Sequence, residues 1–483
     1  MTRGSSALDV ARRRIDLLRT ADERVDVLVV GGGITGAGCA LDAVSRGLSV
    51  ALIEAEDLAF GTSRFSSKLV HGGLRYLATG DVATAKESAL ERHLLMTTIA
   101  PHLIHPLGQL LPFTPGVTAR QRVAGAIGMG MGDLLRMRAR TPRRVLPAPR
   151  LVSARTAARL VPALATRGLR GGMLSYDGQL VDDARLVVTV ARTAAALGAR
   201  ILPRVRAIEL RGDGASVEDT VTGEHFELRA RAVINATGVW AGALDEAIRV
   251  RPSRGTHIVL DAEDLGSPTA ALTIPQEGSI SRYVFALPQA YGRVLVGLTD
   301  EDAPGAVPRV AAPTEQEIAF LLESLNRVIT TPVSRSQVRG AFAGLRPLVD
   351  SDSDVTADVS RRHLVAASEG GFVTVLGGKL TTYRRMAEDA VDVALRMRGL
   401  PWAPCRTASL RLVDRTITST GELLDESTGL HRGEVEFAVR AEGAMTAEDV
   451  LDRRTRIGLV EADRARCRAV VEKIVAETLA ELR

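Results

Sequence analysis

A chain of 483 residues is too long for one small core, and 46% apolar with 25% charged residues excludes a disordered polymer. The formal charge of +5 is small for this length, and its scattered cations lack interleaved aromatics, which excludes a nucleic-acid groove and leaves no nucleic acid among the expected partners. Cys39, Cys405 and Cys467 show no paired spacing, so neither a disulfide framework nor a structural metal is expected. No apolar run reaches bilayer length, and the expected location is cytoplasmic or peripheral on the inner face of the cell membrane.

In chain order, residues 1–23 carry Leu8, Ala11, Ile15 and Leu18 at helical spacing among Arg12, Arg13, Arg14 and Arg19. A basic amphipathic helix of this kind packs on its own protein or lies on an anionic membrane. Residues 25–30 read as a buried strand, 31–38 as a glycine turn opening a small-residue helix, and 48–53 as a second strand ending at Glu54. This is the β-α-β unit of a parallel sheet. Within it Gly31-Gly32-Gly33-Ile34-Thr35-Gly36 satisfies G-x-G-x-x-G. Gly31 permits the tight turn, Gly33 lets backbone approach a pyrophosphate, and Gly36 lets the helix pack on the sheet. Glu54 is placed to accept hydrogen bonds from ribose hydroxyls, which favours NAD or FAD over NADP.

Residues 61–80 form a polar loop holding Ser66, Ser67, Lys68 and the His71-Gly72-Gly73 turn, and helical patterning resumes over 82–100. His93, His102 and His105 lack the spacing of a metal site and read as core or loop histidines. The stretch Met129-Gly130-Met131-Gly132 reads as a packed helix, with lipid or quinone contact as the alternative. A helix over 187–197, a strand over 201–210 and a strand over 232–235 ending in Ala236-Thr237-Gly238 follow. Between Arg254 and Asp300 strands alternate with turns, predicting an antiparallel sheet. The strand 371–376 runs into Gly377-Gly378-Lys379 and a helix, and beyond Pro401 and Pro404 the chain turns helical and charged. Lysine occurs only at 68, 86, 379 and 473, so two of four fall in glycine- or serine-rich loops, as though a compact ammonium were needed there.

The run from Thr62 to Leu77, TSRFSSKLVHGGLRYL, resembles the hallmark of FAD-dependent, aerobic-type glycerol-3-phosphate dehydrogenases. The stretches beginning at Val181, Arg254, Gly344, Gly377 and Asp449 are similar to the same family in the same order, and the Ala-Thr-Gly strand end resembles a second dinucleotide-side motif of flavoproteins. The resemblance implies an α/β fold: a Rossmann-like FAD-binding domain (24–100, 181–245, 340–400) interleaved with an antiparallel-sheet substrate domain (101–180, 246–339), plus a C-terminal helical cap (401–483). It implies oxidation of sn-glycerol 3-phosphate to dihydroxyacetone phosphate by hydride transfer to the flavin. Electrons would pass to a quinone at a membrane surface, and a homodimer is compatible with it. The alternatives are a glycerol-3-phosphate oxidase using oxygen, an amino-acid oxidase whose aromatic cage this aromatic-poor chain lacks, and a non-catalytic flavin-binding membrane-associated protein.

A phosphate dianion needs converging cations, arginine best for bidentate contacts. By resemblance, Arg75, Tyr76, Arg361 and Lys379 surround the substrate, and His257 and Arg346 lie near the reacting hydroxyl, Arg346 to stabilise the developing alkoxide and His257 as the candidate base, or equally as a histidine held in the sheet by a backbone hydrogen bond. The cofactor contacts it implies are Gly31, Gly33, Gly36, Glu54, Ser66, Ser67, Lys68, Val205, Thr237, Gly238, Gly378, Leu380 and Thr381. Arg254 departs from the family, standing where many relatives carry lysine.

Overall fold

Strands buried on both faces need continuous apolar runs, and the first sheet is built from such runs. The computed structural model describes residues 4–73, 80–115, 117–276, 279, 282–349 and 363–482. In it Arg200–Pro203, Val50–Glu54, Val25–Val30, His225–Asn235 and Val373–Gly377 lie side by side and parallel, with His363–Ala367 as an antiparallel edge. Val30 stands opposite both Ile53 and Asn235, so the loops leaving these strands open on one crevice. Helices Ile34–Ser45, Asp183–Ala196 and Tyr383–Met397 cover one face through small buried residues such as Ala40, Ala191 and Ala390. The strand expected over 201–210 is broken at Arg204, whose φ of 62° turns the chain into a hairpin of Val205–Arg211 and Gly214–Asp219 over the other face.

Helix Val10–Asp22, capped by Asp9, packs on that second face. Leu17 is fully buried, and Arg13 is 6% exposed with Nη2 2.6 Å from Asp219 Oδ1 and Nε donating to the Pro203 carbonyl. Arg12 donates to the carbonyls of Ser5, Ala7 and Ala195, and Arg14 pairs with Glu224. These arginines are therefore engaged with the protein itself, which favours the packed-helix reading of this segment. Among the described residues no helix is long and apolar enough to cross a membrane.

The second sheet runs, in spatial order, Glu301–Asp302, Val250–Asp261, Arg293–Gly297, Tyr283–Gln289, Ala271–Pro275, Ile104–Pro112, Gly172–Leu180 and Leu69–Val70. Neighbours are antiparallel except Ala271–Pro275 beside Ile104–Pro112, which run parallel. Gly340–Val349 pairs along its whole length with Val250–Asp261, from Val250↔Val349 to Val259↔Gly340. Residues 340–349 and Leu69–Val70 thus pair within the second sheet rather than the first, because ladder partners are chosen by non-local packing. Helix Glu315–Asn326 covers the outer face. Beyond residue 406 helices Arg432–Glu442, Ala447–Arg453 and Glu461–Glu481 enclose a separate core of Val435, Val439, Leu451 and Ile474.

Arg13→Ala leaves the unexposed Asp219 carboxylate without its nearest cation and should cost about 3–5 kcal/mol. A fall in the thermal or urea midpoint checks this, and an unchanged midpoint would show that the pair contributes nothing.

Candidate active site

The loops at the C-terminal ends of the first-sheet strands face the second sheet across a cavity of about 1060 Å³. Clefts of this size, apolar with a few convergent polar groups, are where cofactors and small substrates bind.

Gly31 and Gly33 form part of its wall, whereas Gly36 lies behind them. A Cβ at Gly36 would collide with the Gly31 carbonyl oxygen, so glycine is what lets the helix start this close to the turn. Gly33 is the N-cap of Ile34–Ser45 and makes no side-chain cap bond, so the helix presents its first-turn N–H groups to the cavity, with Ile34 N–H donating to Ser63 Oγ at 2.9 Å. Glu54 is on the wall and accepts from Gly32 N–H at 2.6 Å and Glu56 N–H at 2.8 Å, and burial lifts its carboxyl above the usual range. Val205 joins this side through the hairpin, and Thr237 and Gly238 through the strand end, where Thr237 Oγ1 donates to Asn235 Oδ1 at 2.7 Å. A glycine cradle, a helix N-terminus whose own N-cap residue carries no side chain and a carboxylate are the donor and acceptor set that a dinucleotide requires, and the residues fit one.

At the end of first-sheet strand Val373–Gly377, Gly378, Lys379, Leu380 and Thr381 also line the cavity, and Lys379 Nζ donates to Ser88 Oγ at 2.7 Å. Arg346 lines it too. Its Nη1 donates to Asp300 Oδ1 at 2.9 Å and Ser253 Oγ at 3.0 Å, and its Nη2 to the Thr299 carbonyl at 2.9 Å. A side chain at Gly255 would strike this guanidinium, so glycine there makes its room. Arg254, the departure from the family, pairs with Glu317 at 2.8 Å.

Ser66 and Ser67 are on the wall, but Lys68 and His257 are not. Lys68 is 3% exposed, and its Nζ donates to Asp183 Oδ1 at 2.9 Å. The Lys68 side chain is thus engaged in a buried ion pair, because Asp183 has no exposure and needs a cation. Burial alone would raise the Asp183 carboxyl, yet Lys68 and Arg456 hold it well below its usual range. His257 is likewise unexposed, with its ring stacked on Phe342 at 4.9 Å. Its Nε2 is 2.9 Å from Ser67 Oγ, so a serine stands between the imidazole and the cavity. Burial first, then the cations of Lys68 and Arg346, push the imidazole down to about 3 and keep it neutral.

Arg75, Tyr76 and Arg361 lie outside the described residues. Sequence reasoning missed Gln109, Ser175, Asp177 and Thr273, which second-sheet strands place on the wall. Asp177 accepts from Gly72 N–H at 3.0 Å and pairs with Arg92. Alternate residues of an antiparallel strand carry no motif, so nothing local marked them.

Residues 26–384 match the family model described as FAD dependent oxidoreductase, and 406–483 match that of the C-terminal domain of alpha-glycerophosphate oxidase. Glycerol-3-phosphate dehydrogenase 1 of Mycobacterium tuberculosis is 48% identical across 98% of this chain and 99% of its own. Among solved structures, the glycerol-3-phosphate dehydrogenase from Bacillus halodurans complexed with FAD superposes with a TM-score of 0.71 at 24% identity, covering 98% of this chain and 97% of that one. The L-alpha-glycerophosphate oxidase from Mycoplasma pneumoniae with FAD bound gives 0.60 at 17%, covering 81% and 100%.

The buried His257 makes stability pH-dependent. Its ordinary value of 6.5 falls to about 3 in the fold, so between these limits the unfolded chain binds the extra proton. Stability from this group is complete above pH 6.5 and is lost as pH falls, by up to about 1.4 kcal/mol per unit. His257→Asn should flatten the acid limb of the unfolding midpoint between pH 6.5 and 4.5, and a limb parallel to wild type would contradict it.

Proposed function

The chain belongs to the FAD-dependent oxidoreductase family, and from that premise we propose that it oxidises sn-glycerol 3-phosphate to dihydroxyacetone phosphate with FAD as cofactor. The observation that carries this reading is one cavity that joins a dinucleotide cradle to the fixed cations Arg346 and Lys379. Bound FAD supplies the acceptor for the hydride of the secondary alcohol. Arg346 is oriented by Asp300, Ser253 and Thr299 before any substrate arrives, so it can stabilise a developing alkoxide without reorganisation. Lys379 supplies a compact ammonium for the phosphate, with Arg75, Tyr76 and Arg361 as its further candidates by resemblance.

The hydroxyl proton, in this reading, passes to Ser67 Oγ while the Ser67 proton moves to His257 Nε2, so His257 acts as base through Ser67 rather than by contact. Burial is the first cause that depresses His257 and the Lys68 and Arg346 cations the next, so a phosphate dianion near Arg346 offsets only the smaller, electrostatic part.

Electrons leave for a quinone beside helix Ala119–Arg138. There Ile127 and Met131 line the cavity and, with Val123, Leu134 and Met137, are also exposed. The exposed Arg120, Arg138 and Arg140 flank this apolar stripe, a combination suited to an anionic membrane surface from which an apolar acceptor can enter.

Two experiments test the reading. Anaerobic addition of sn-glycerol 3-phosphate should bleach the bound flavin, and Arg346→Ala should retain FAD yet bleach at least about 100-fold more slowly. A yellow wild-type protein that stays yellow would refute the substrate assignment. Separately, Ile127→Glu should keep anaerobic bleaching while losing quinone reduction and cosedimentation with anionic vesicles. Full quinone reduction in that variant would overturn this helix as the quinone site, and rapid reoxidation of wild type by oxygen alone would point to another acceptor.

A further inference from the structure

The cavity wall from Phe60 to Ser67 is backed by the C-terminal unit, although no described residue of that unit lines the cavity. The contact is made by the end of helix Ala447–Arg453 and the Arg454-Thr455-Arg456 turn that follows. Arg453 Nε reaches Asp57 Oδ2 at 2.6 Å and Arg454 Nη2 reaches Asp57 Oδ1 at 2.8 Å, both ends buried. Asp452 Oδ2 lies 3.2 Å from Nη1 of Arg64, whose Nε donates to the Phe60 carbonyl at 2.9 Å.

Arg456 goes deepest. Its Nη2 donates to the Arg64 carbonyl, and its Nε lies 3.2 Å from Asp182 Oδ1 and 3.8 Å from Asp183 Oδ1, as a charge contact without hydrogen-bond alignment. Its backbone is left-handed at φ 67°, a conformation that a non-glycine residue keeps only where its surroundings hold it. Asp183 in turn accepts from Ser66 N–H and Oγ at 2.9 and 2.8 Å and from Lys68 Nζ at 2.9 Å. Between these two held residues stands Ser67, with its Oγ on His257.

Two carboxylates and two cations balance in this buried cluster. Without Arg456 one carboxylate lacks a partner, and the Lys68 ammonium, now 4.0 Å from Asp182, is drawn toward it and away from Asp183. Any such shift moves the Ser66-Ser67 backbone on the cavity wall.

We propose that Arg456 is a positioning residue of the redox site: through Asp183 and the Arg64 carbonyl it holds Ser66-Ser67-Lys68 in the conformation that keeps Ser67 on His257. The C-terminal unit is thereby part of the catalytic apparatus without touching cofactor or substrate. The inference rests on the reading of the cavity as the FAD site of glycerol-3-phosphate oxidation.

The test compares FAD-loaded wild type, Arg456→Gln and Arg456→Lys by flavin absorption and by anaerobic bleaching across sn-glycerol 3-phosphate concentrations. Arg456→Gln should bleach about 10- to 100-fold more slowly per bound flavin at saturation, as expected when a reacting group is displaced by about 1 Å. Half-saturation should stay within about threefold, since the substrate's own contacts remain. Arg456→Lys restores the charge and should recover part of the rate. An arginine that only stabilised the fold would lower the thermal midpoint and leave the rate per flavin unchanged, so an unchanged rate overturns the proposal. Should Arg456→Gln not fold, Arg456→Lys decides alone: a reduced rate supports the proposal and a wild-type rate overturns it. Failure of wild type to bleach would overturn the substrate reading instead. In that case a shifted flavin absorption band in the variants supports positioning, and an unshifted band overturns it.

Discussion

Asp183 is a carboxylate without exposure to water, and three regions of the chain converge on it. It sits in the first turn of helix Asp183–Ala196, where the helix dipole favours negative charge. Dipole alone does not offset the cost of burying a carboxylate, so Ser66, Lys68 and Arg456 supply hydrogen bonds and charge. Satisfying this one group ties the serine loop of the cavity wall to a helix of the first sheet and to the C-terminal unit. The neutral His257 then has a fixed serine to face.

The two sheets divide the remaining work. Parallel strands of the first sheet end together, so their loops form a crevice with helix N-termini at its mouth, which suits phosphates. Antiparallel strands of the second sheet offer a broad face on which every other side chain points the same way. Gly255 and His257 share such a face of Val250–Asp261, and the glycine admits the Arg346 guanidinium from the paired strand Gly340–Val349. Neither sheet makes the site alone, and the chain crosses between them repeatedly.

Arginine does most of the structural cross-linking. Arg46 pairs with Asp42 and Asp392, Arg384 with Glu91, and Arg185 with Glu442, all with the guanidinium largely buried. Planar guanidinium groups suit such pairs because several donors meet a carboxylate in fixed geometry. The consequence for reading function is that an arginine in this chain is weak evidence for an anion site. Of the two lysines in glycine- or serine-rich loops, Lys379 lines the cavity and Lys68 has an internal partner, Asp183.

Local patterns in the sequence determined the glycine turn, its flanking strands, Glu54 and the strand ending in Ala236-Thr237-Gly238, since those signals lie within a few residues of the backbone they shape. Resemblance across several ordered motifs carried the family, the cofactor and the substrate class. Tertiary structure alone decided that 340–349 joins the second sheet, that Lys68 serves Asp183, that His257 stands behind Ser67, and that Arg456 supports the serine loop. The reason is distance along the chain: Ser67 and His257 are 190 residues apart and Arg64 and Arg456 are 392 apart. No short-range periodicity or spacing encodes which buried charge will find which partner, because that choice is made by packing and desolvation once the whole chain has folded.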